Sequence, residues 1–383
     1  MSVKVAVRVR PFNQRESDLK SDLIVEMNNN TTSLYDKKTD SSRDFTFDFS
    51  FWSHDRFIEN EDGYNVAEDD KYADQQMVFD LVGKEILHNA WEGYHCCLFA
   101  YGQTGSGKSY SMIGYGANKG IVPISFAEIF KRIGENDNEK KRYEVQFSMT
   151  EIYNEKLQDL LAPVDKRTAQ GLKVREHKVY GVYVEGLSKH AVASYEDIEA
   201  KMEQGNRNRT IASTLMNACS SRAHTIISLE FKQIEKIGNK TTQKLSVIHL
   251  VDLAGSEKVS KTQASGDRLK EGCAINKSLS VLGQVISALA DRAMGKSKTV
   301  VPYRDSVLTR ILQNALGGNS KTLMICALSP AADNYEETLS TLRYADQAKK
   351  IKCNAVINEN EQDKMIRELK GENERLKEML SQF

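Results

Sequence analysis

The stretch Cys96-Cys97-Leu98-Phe99-Ala100-Tyr101-Gly102-Gln103-Thr104-Gly105-Ser106-Gly107-Lys108-Ser109 (residues 96–109) decides the fold. Its first six residues form an uninterrupted apolar run stopped by Gly102, the pattern of a strand buried on both faces of a sheet. The remainder, residues 102–109, matches G-x-x-x-x-G-K-[ST]. The glycines let the backbone curl, so that successive N–H groups from Gln103 to Gly107 face phosphate oxygens. Lys108 then reaches the β/γ oxygens of a nucleotide, and the Ser109 hydroxyl is placed to ligate Mg²⁺. A helix opening after the loop favours anions at its N-terminus.

A phosphate loop needs a second acid near the metal. Val247 to Val251 is another apolar run, and it leads into Asp252-Leu253-Ala254-Gly255. Asp252 can hold the Mg²⁺ water shell, and the Gly255 N–H can sense a γ-phosphate because glycine lets the backbone approach closely. Guanine is usually read by N-K-x-D. The comparable pair here, Asn276-Lys277-Ser278-Leu279, lacks the acid and falls inside an expected helix. ATP is therefore favoured over GTP.

Further out, Val3, Val5, Val7 and Val9 alternate with Lys4, Ala6 and Arg8, a period-two strand that Pro11 ends. Tyr143 to Ile152 alternates again, and Thr322 to Leu328 is a further apolar run. Ile275, Leu279, Leu282, Ile286 and Leu289 recur at helical steps, predicting a long helix over 271–290. Strands alternating with helices imply an α/β layered fold around a largely buried sheet. In the tail, Ile366, Leu369, Asn373, Leu376, Leu380 and Phe383 fall at alternating steps of three and four, the seam of a coiled coil with a polar residue that selects register.

Composition excludes several classes. The 383 residues carry 53 Lys and Arg against 53 Asp and Glu with 40% apolar residues, which is incompatible with bulk disorder. No apolar run approaches the ~18 residues of a membrane span. The charged, alternating start is not a secretory signal. Six cysteines without C-x-x-C spacing read as reduced, mostly buried thiols. Residues 55–80 form an acidic excursion, expected to be exposed.

The ordered motifs resemble the kinesin motor domain over nearly the whole chain. Arg8-Val9-Arg10-Pro11, FAYGQTGSGKS (99–109), Glu151-Ile152-Tyr153-Asn154-Glu155, Asn217 to His224, Asp252-Leu253-Ala254-Gly255-Ser256-Glu257, YRDSVLTRILQNALGGNS (303–320) and TLSTLRYADQAK (338–349) are similar to that family's signatures. WSHD (52–55) and MIRELKGENERLKEML (365–380) are most similar to the kinesin-three, Unc-104-type transport subfamily. The resemblance implies a P-loop NTPase with a central mixed, mostly parallel β-sheet flanked by helices on both faces, followed by a short C-terminal neck helix. It implies a motor domain over 1–350, a neck linker over 351–360 and the start of a neck coiled coil over 361–383.

It further implies that Arg8, Arg10, Pro11 and Tyr110 sandwich adenine. Ser109 and Ser221 ligand Mg²⁺, with Asp252 acting through water. Arg222 pairs with Glu257 to close the site, Glu257 accepts a proton through a water, and Ser220 helps hold that water, with Lys108 and Gly255 at the γ-phosphate. The expected activity is a microtubule-stimulated ATPase that uses ATP/ADP and Mg²⁺ and moves toward the plus end in intracellular transport, on microtubules in the cytoplasm. A basic face of Lys258, Lys261, Arg268, Lys296, Lys298, Arg304 and Arg310 would meet the acidic track. A neck coil would join two heads, and cargo would bind through a region absent from this chain; nucleic acid and membrane are not expected partners. Two departures stand out: Ala223 replaces the family's Ser, and only Met1 and Ser2 precede the first strand, so the cover strand is expected to be nearly absent.

Overall fold

Residues of one strand face two different cores. Cys97, Phe99 and Tyr101 point into one hydrophobic cluster, and Cys96, Leu98 and Ala100 into the other. This is the two-sided burial that the apolar run predicts. The computed structural model describes residues 1–163, 167–168, 170–177, 181–216, 220–238, 240–257, 267–296 and 300–359, with 363–365, 369 and 372 of the tail; the side chains of 211–220 and 267–276 are outside the description.

The central sheet comprises β1 (Lys4–Val9), β2 (Phe49–Trp52), β3 (Cys96–Tyr101), β4 (Lys141–Tyr153), β5 (Lys156–Asp159), β6 (His190–Ala191), β7 (His224–Ile237), β8 (Lys240–Asp252) and β9 (Lys321–Leu328). Their spatial order is β5-β4-β7-β8-β3-β9-β1-β2, with β6 beside β4. From β8 to β2 every pairing is parallel. From β5 to β8, and at β6, every pairing is antiparallel. The sheet is mixed, as expected, but among the described residues four parallel pairings stand against four antiparallel ones, so it is not mostly parallel; the long antiparallel hairpin of β7 and β8 makes the difference, and the parallel part carries the phosphate loop.

The labelled helices are α1 (Lys108–Met112), α2 (Ile121–Gly134), α3 (Tyr195–Met216), α4 (Asp267–Ala293), α5 (Val307–Ile311) and α6 (Tyr335–Ala348). Leu282, Val285 and Ile286 of α4, Leu308 of α5 and Leu342 of α6 cover one face of the sheet. Ile121, Phe126 and Ile129 of α2 and Ile198 and Met202 of α3 cover the other. Both faces are thus dry, and the expected long helix extends a turn beyond 271–290 at its start. Cys96, Cys97, Cys326 and Cys353 are free and buried, and burial pushes their thiols up; Cys219 and the Cys273 side chain lie outside the description. Among the described residues no helix is long and apolar enough to cross a membrane. The acidic excursion forms a hairpin, Phe57–Glu59 with Asn65–Ala67, whose Glu59, Glu61, Asp62 and Glu68 are exposed as expected.

The segment after α6 lies along the sheet. Val3 N–H donates to the Ile351 carbonyl (2.9 Å) and Cys353 N–H to that of Met1 (2.7 Å), with Ser2 bridging Lys352 antiparallel. Residues 1–3 thus meet the segment after α6 through one bridge. Beyond it, Asn354 N–H donates to Gly318 O (2.9 Å), Val356 N–H to Asn319 Oδ1 (2.8 Å) and Asn358 N–H to Gly93 O (2.9 Å). Of the predicted coil seam, Leu369 is exposed; Ile366, Asn373, Leu376, Leu380 and Phe383 lie outside the described residues.

Three histidines stay neutral inside this framework. Burial lowers His224 to about 3 and His249 to about 4; at His95 burial, with a smaller contribution from His249, also leaves it near 4. Because the unfolded chain takes up these protons first, each contribution is complete above about pH 6.5 and is lost as pH falls toward the folded value. At the fully buried His224 the loss is roughly 1 kcal/mol per pH unit. Thermal melting from pH 7 to pH 4 should show a midpoint falling steadily below about 6.5; a flat midpoint would overturn the assignment of buried neutral imidazoles.

Candidate nucleotide site

The turn after β3 admits only glycine at its first position. Gly102 has φ +145°, and a side chain there would meet the Ala327 carbonyl at 2.4 Å. Lys108 is buried, and its ammonium donates to the carbonyls of Gly102 and Gln103, both at 2.8 Å. Burial lowers its pKa, opposed by Asp252 and Glu257. The cation is therefore held inside the loop that the sequence reads as a phosphate cradle.

Asp252 arrives by register. It ends β8 directly beside Ala100 of β3. Ser109 Oγ donates to Asp252 Oδ2 (2.5 Å), while Asp252 Oδ1 and Ser106 Oγ are buried and have no hydrogen-bond partner among the described residues. Burial raises the Asp252 carboxyl, against the Ser109 bond and Lys108. A hydroxyl and a carboxylate with a spare buried oxygen form the hard-oxygen donor set that suits Mg²⁺, so the residues present fit that metal. Next to them opens a cavity of about 720 Å³, lined by Thr104, Lys108, Ser109, Ser221 and Asp252 and closed at depth by apolar side chains including Met149 and Leu250. That volume is typical of a small-ligand site.

The two switch-like segments touch. Gly255 N–H donates to the Ser221 carbonyl (2.9 Å) and Ser256 N–H to that of Gly102 (3.1 Å). Glu257 accepts from the Thr104 N–H (2.8 Å) and hydroxyl (2.5 Å). Glu257 is thus bound by Thr104 of the phosphate loop. Arg222 is half-buried, Ala223 is buried at the cavity wall, and the Ser220 side chain lies outside the description.

Arg8, expected at adenine, stands in a buried cluster. It is 3% exposed, and its guanidinium donates to Ser53 Oγ (2.9 Å), Gln75 Oε1 (2.7 Å), Ser111 Oγ (3.2 Å) and Ala73 O (3.3 Å). It lies over the Tyr110 ring at 5.2 Å and so supports that ring from behind. Arg10 is clamped by Glu16 (2.6 and 2.7 Å) and donates to the Gly105 carbonyl (2.6 Å), tying the end of β1 to the phosphate loop. Pro11 is exposed beside it.

Sequence reasoning gave His224 no role. Its Nδ1 accepts the Ala254 N–H (2.9 Å), so Nε2 carries the proton toward Ser278 Oγ (2.7 Å). One imidazole thus joins the segment after Asp252 to α4. Asn276-Lys277-Ser278-Leu279 lies inside α4, as expected. Arg209 of α3, also unpredicted, lines the cavity and donates to Thr225 Oγ1 (3.1 Å). No spacing rule would have found it.

Of the expected basic face, Lys258, Lys261 and Lys298 lie outside the described residues, and Arg268 is placed only as backbone of α4. Lys296 and Arg304 are exposed and Arg310 is half-buried. Arg304 and Arg310 line a groove of about 300 Å³ together with Lys173 and Arg175, two cations remote in sequence. Glu155 fixes this wall by accepting from Ser306 Oγ (3.1 Å) and the Val307 N–H (2.9 Å) at the start of α5.

The parallel strand ends, glycine turn, buried lysine and Asp252 define a P-loop nucleotide-binding domain. Comparison with known proteins narrows this. The kinesin motor domain pattern matches residues 8–351. The chain is 52% identical to Kinesin-related protein 1 of Dictyostelium discoideum over 398 aligned positions, covering all of this chain and 18% of that protein. It is 52% identical to human Kinesin-like protein KIF13A, covering 99% of this chain and 21% of that protein. Among solved structures, a KIF14 dimer with AMP-PNP on a microtubule superposes with TM-score 0.86 at 44% identity, covering 96% of this chain and 99% of that one. A fast kinesin superposes with TM-score 0.81 at 40% identity, covering 94% of each chain. The chain belongs to the kinesin motor-domain family, with KIF13A and KIF1B, both kinesin-three members, among its relatives. It spans about a fifth of the length of these curated relatives.

Removing Arg8 takes the donor from Gln75 Oε1 and from the buried Ser111 hydroxyl and leaves Tyr110 unsupported, while Ser53 keeps its bond to the Ala73 carbonyl. Arg8→Ala should lower stability by roughly 2–4 kcal/mol and weaken nucleotide binding about tenfold, and Arg8→Lys should not restore either, because one ammonium cannot reach four acceptors. Thermal melting and fluorescent-nucleotide titration check this; wild-type values for Arg8→Ala would show that the cluster supports nothing.

Proposed function

We propose that this chain is the motor portion of an ATP-driven microtubule motor, coupling ATP hydrolysis to plus-end-directed transport. One observation carries the reading. The Ala254–His224–Ser278 hydrogen-bond chain links the segment after Asp252 to α4, and α4 packs beside α5, whose flank is the basic groove. A change at the phosphate loop thereby has a polar, directional route to a face suited to an acidic track. Relatives solved on microtubules with AMP-PNP or ADP support the same reading.

In this reading Lys108 places its charge at the β/γ oxygens, and Ser109, Ser221 and Asp252 would hold Mg²⁺. Mg²⁺, when bound, neutralises the charge that builds on the transferring phosphoryl group. Thr104 and Gly255 set the position of Glu257 and Ser221 on either side of the loop, and Glu257 accepts the proton released by the attacking water, with Ser220 helping to hold that water. Arg222 takes Glu257 from Thr104 as the switches close. Nothing in the site requires a covalent intermediate; positioning and charge carry the reaction.

Residues 351–360, paired over 351–359 as described above, act as a docked neck linker, and 361–383 begin a coil that joins two heads. Cargo would attach through parts of the longer protein. The setting is the cytoplasmic microtubule network.

ATP turnover with and without microtubules tests the proposal. Stimulation by orders of magnitude is expected, with Glu257→Ala binding nucleotide but not turning over. Turnover blind to microtubules would instead mean a nucleotide switch acting on another partner. Ala223→Ser should change the rate only a few-fold, since hydrolysis here proceeds without that hydroxyl; a many-fold gain would give it a larger role. Microtubule affinity should fall across a threefold rise in salt; constant affinity would remove the basic groove from the argument.

A further inference from the structure

The strand that ends in Asp252 has a second functional end. β8 pairs with β3 only from Ile248 onward, opposite Cys96. Before that point, the N–H groups of Val247, Leu245 and Gln243 lie two residues apart and point to the same side. Each has a different partner. Val247 N–H donates to His95 Nδ1 (3.0 Å), Leu245 N–H to the Asn358 carbonyl (3.0 Å), and Gln243 N–H to Asp363 Oδ2 (2.7 Å). Glu359 bridges Lys244 antiparallel, so the tail continues the ladder that β3 leaves off.

The receiving surface is shaped for this segment. Gly93 has φ +96°, and a side chain there would sit 3.1 Å from Ile357 Cγ2 and 3.3 Å from Lys244 Cδ. Its carbonyl accepts both the Asn358 N–H (2.9 Å) and the Asn358 side-chain amide (3.1 Å).

We propose that Asp363 is a positioning residue that latches the start of the neck helix to the head. Its carboxylate occupies the place of the next strand carbonyl, so it stops the linker strand and pins the helical residues 363–365 to β8. Asp363 is only 7% exposed. A buried carboxylate is tolerated because it takes a short, charge-assisted bond from a backbone donor. The direction in which the neck leaves the head is then tied to linker docking. The same strand carries Asp252 at its far end, so the nucleotide site and the neck exit share one rigid element. This inference rests on the reading of 351–359 as a docked linker.

Amide exchange resolved at single residues, measured with AMP-PNP on the whole chain, tests it. Asp363→Ala should raise exchange at the Gln243 amide about tenfold or more while Leu245 stays protected. Asp363→Asn, which keeps an acceptor oxygen, should restore most of the protection. A fluorophore on Met365→Cys, at a 64% exposed position, should lose anisotropy in the Ala variant and regain it in the Asn variant. Unchanged exchange at Gln243 in Asp363→Ala, or equal exchange in the Ala and Asn variants, would overturn the latch. Joint loss of protection at Gln243 and Leu245 would also overturn it, by showing a general undocking instead of a local contact. Microtubule-stimulated turnover of the unaltered chain is a separate readout: its failure refutes the motor reading, whatever the amides show.

Discussion

The parallel register of β3 and β8 is the constraint on which the rest of the structure depends. Asp252 stands opposite Ala100, two residues before the turn that carries Lys108 and Ser109. Because side chains alternate along a strand, a slip of one residue would turn Asp252 to the other face and separate it from Ser109. Both faces of β3 are packed, one by Cys97 and Phe99 and the other by Cys96 and Leu98, so no such slip is available. The nucleotide site is precise because its strands are buried.

From that register the coupling follows through few contacts. His224 begins β7 and reaches both Ala254 and Ser278, so the chain after Asp252 cannot move without disturbing α4. The neutral imidazole suits this place. A protonated one would lose its acceptor for Ala254 and put charge in a dry core. At the other end of the sheet, the tail 351–359 completes a ladder that β3 leaves short. The sheet thus stands between the phosphate loop and the segment 351–359 as a shared frame, with α4 tied to the phosphate-loop side through His224.

Much of the site was legible because its signals are local. The apolar run before Gly102, the loop glycines with Lys108, and Asp252 after a second apolar run each carry their reading within about ten residues. The partners of Arg8 were not legible, for an equally physical reason. Alternation in Val5, Val7 and Val9 marks Arg8 as belonging to the opposite, polar face. That face is covered too, and Arg8 spends its donors on Ser53, Gln75, Ser111 and Ala73, from three other segments. Lys173 and Arg175 escaped notice because their meaning comes from Arg304 and Arg310, over a hundred residues away. The zero net charge is likewise an average. Acidic residues gather on the 57–67 hairpin, and cations gather in the groove beside α5.

By itself, the sequence determined five of the strand segments and the long helix, that a glycine-rich loop with Lys108 follows a buried strand, and that the acid Asp252 follows another. Those properties depend on side-chain period and on glycine's freedom, both of which act over a few residues. The tertiary structure alone decided that Glu257 meets Thr104, that Arg8 backs Tyr110, that His224 bridges to α4, and that Asp363 meets Gln243. Each of these is a contact between distant segments, set by strand order and register, and no local pattern encodes which edge a chain will find.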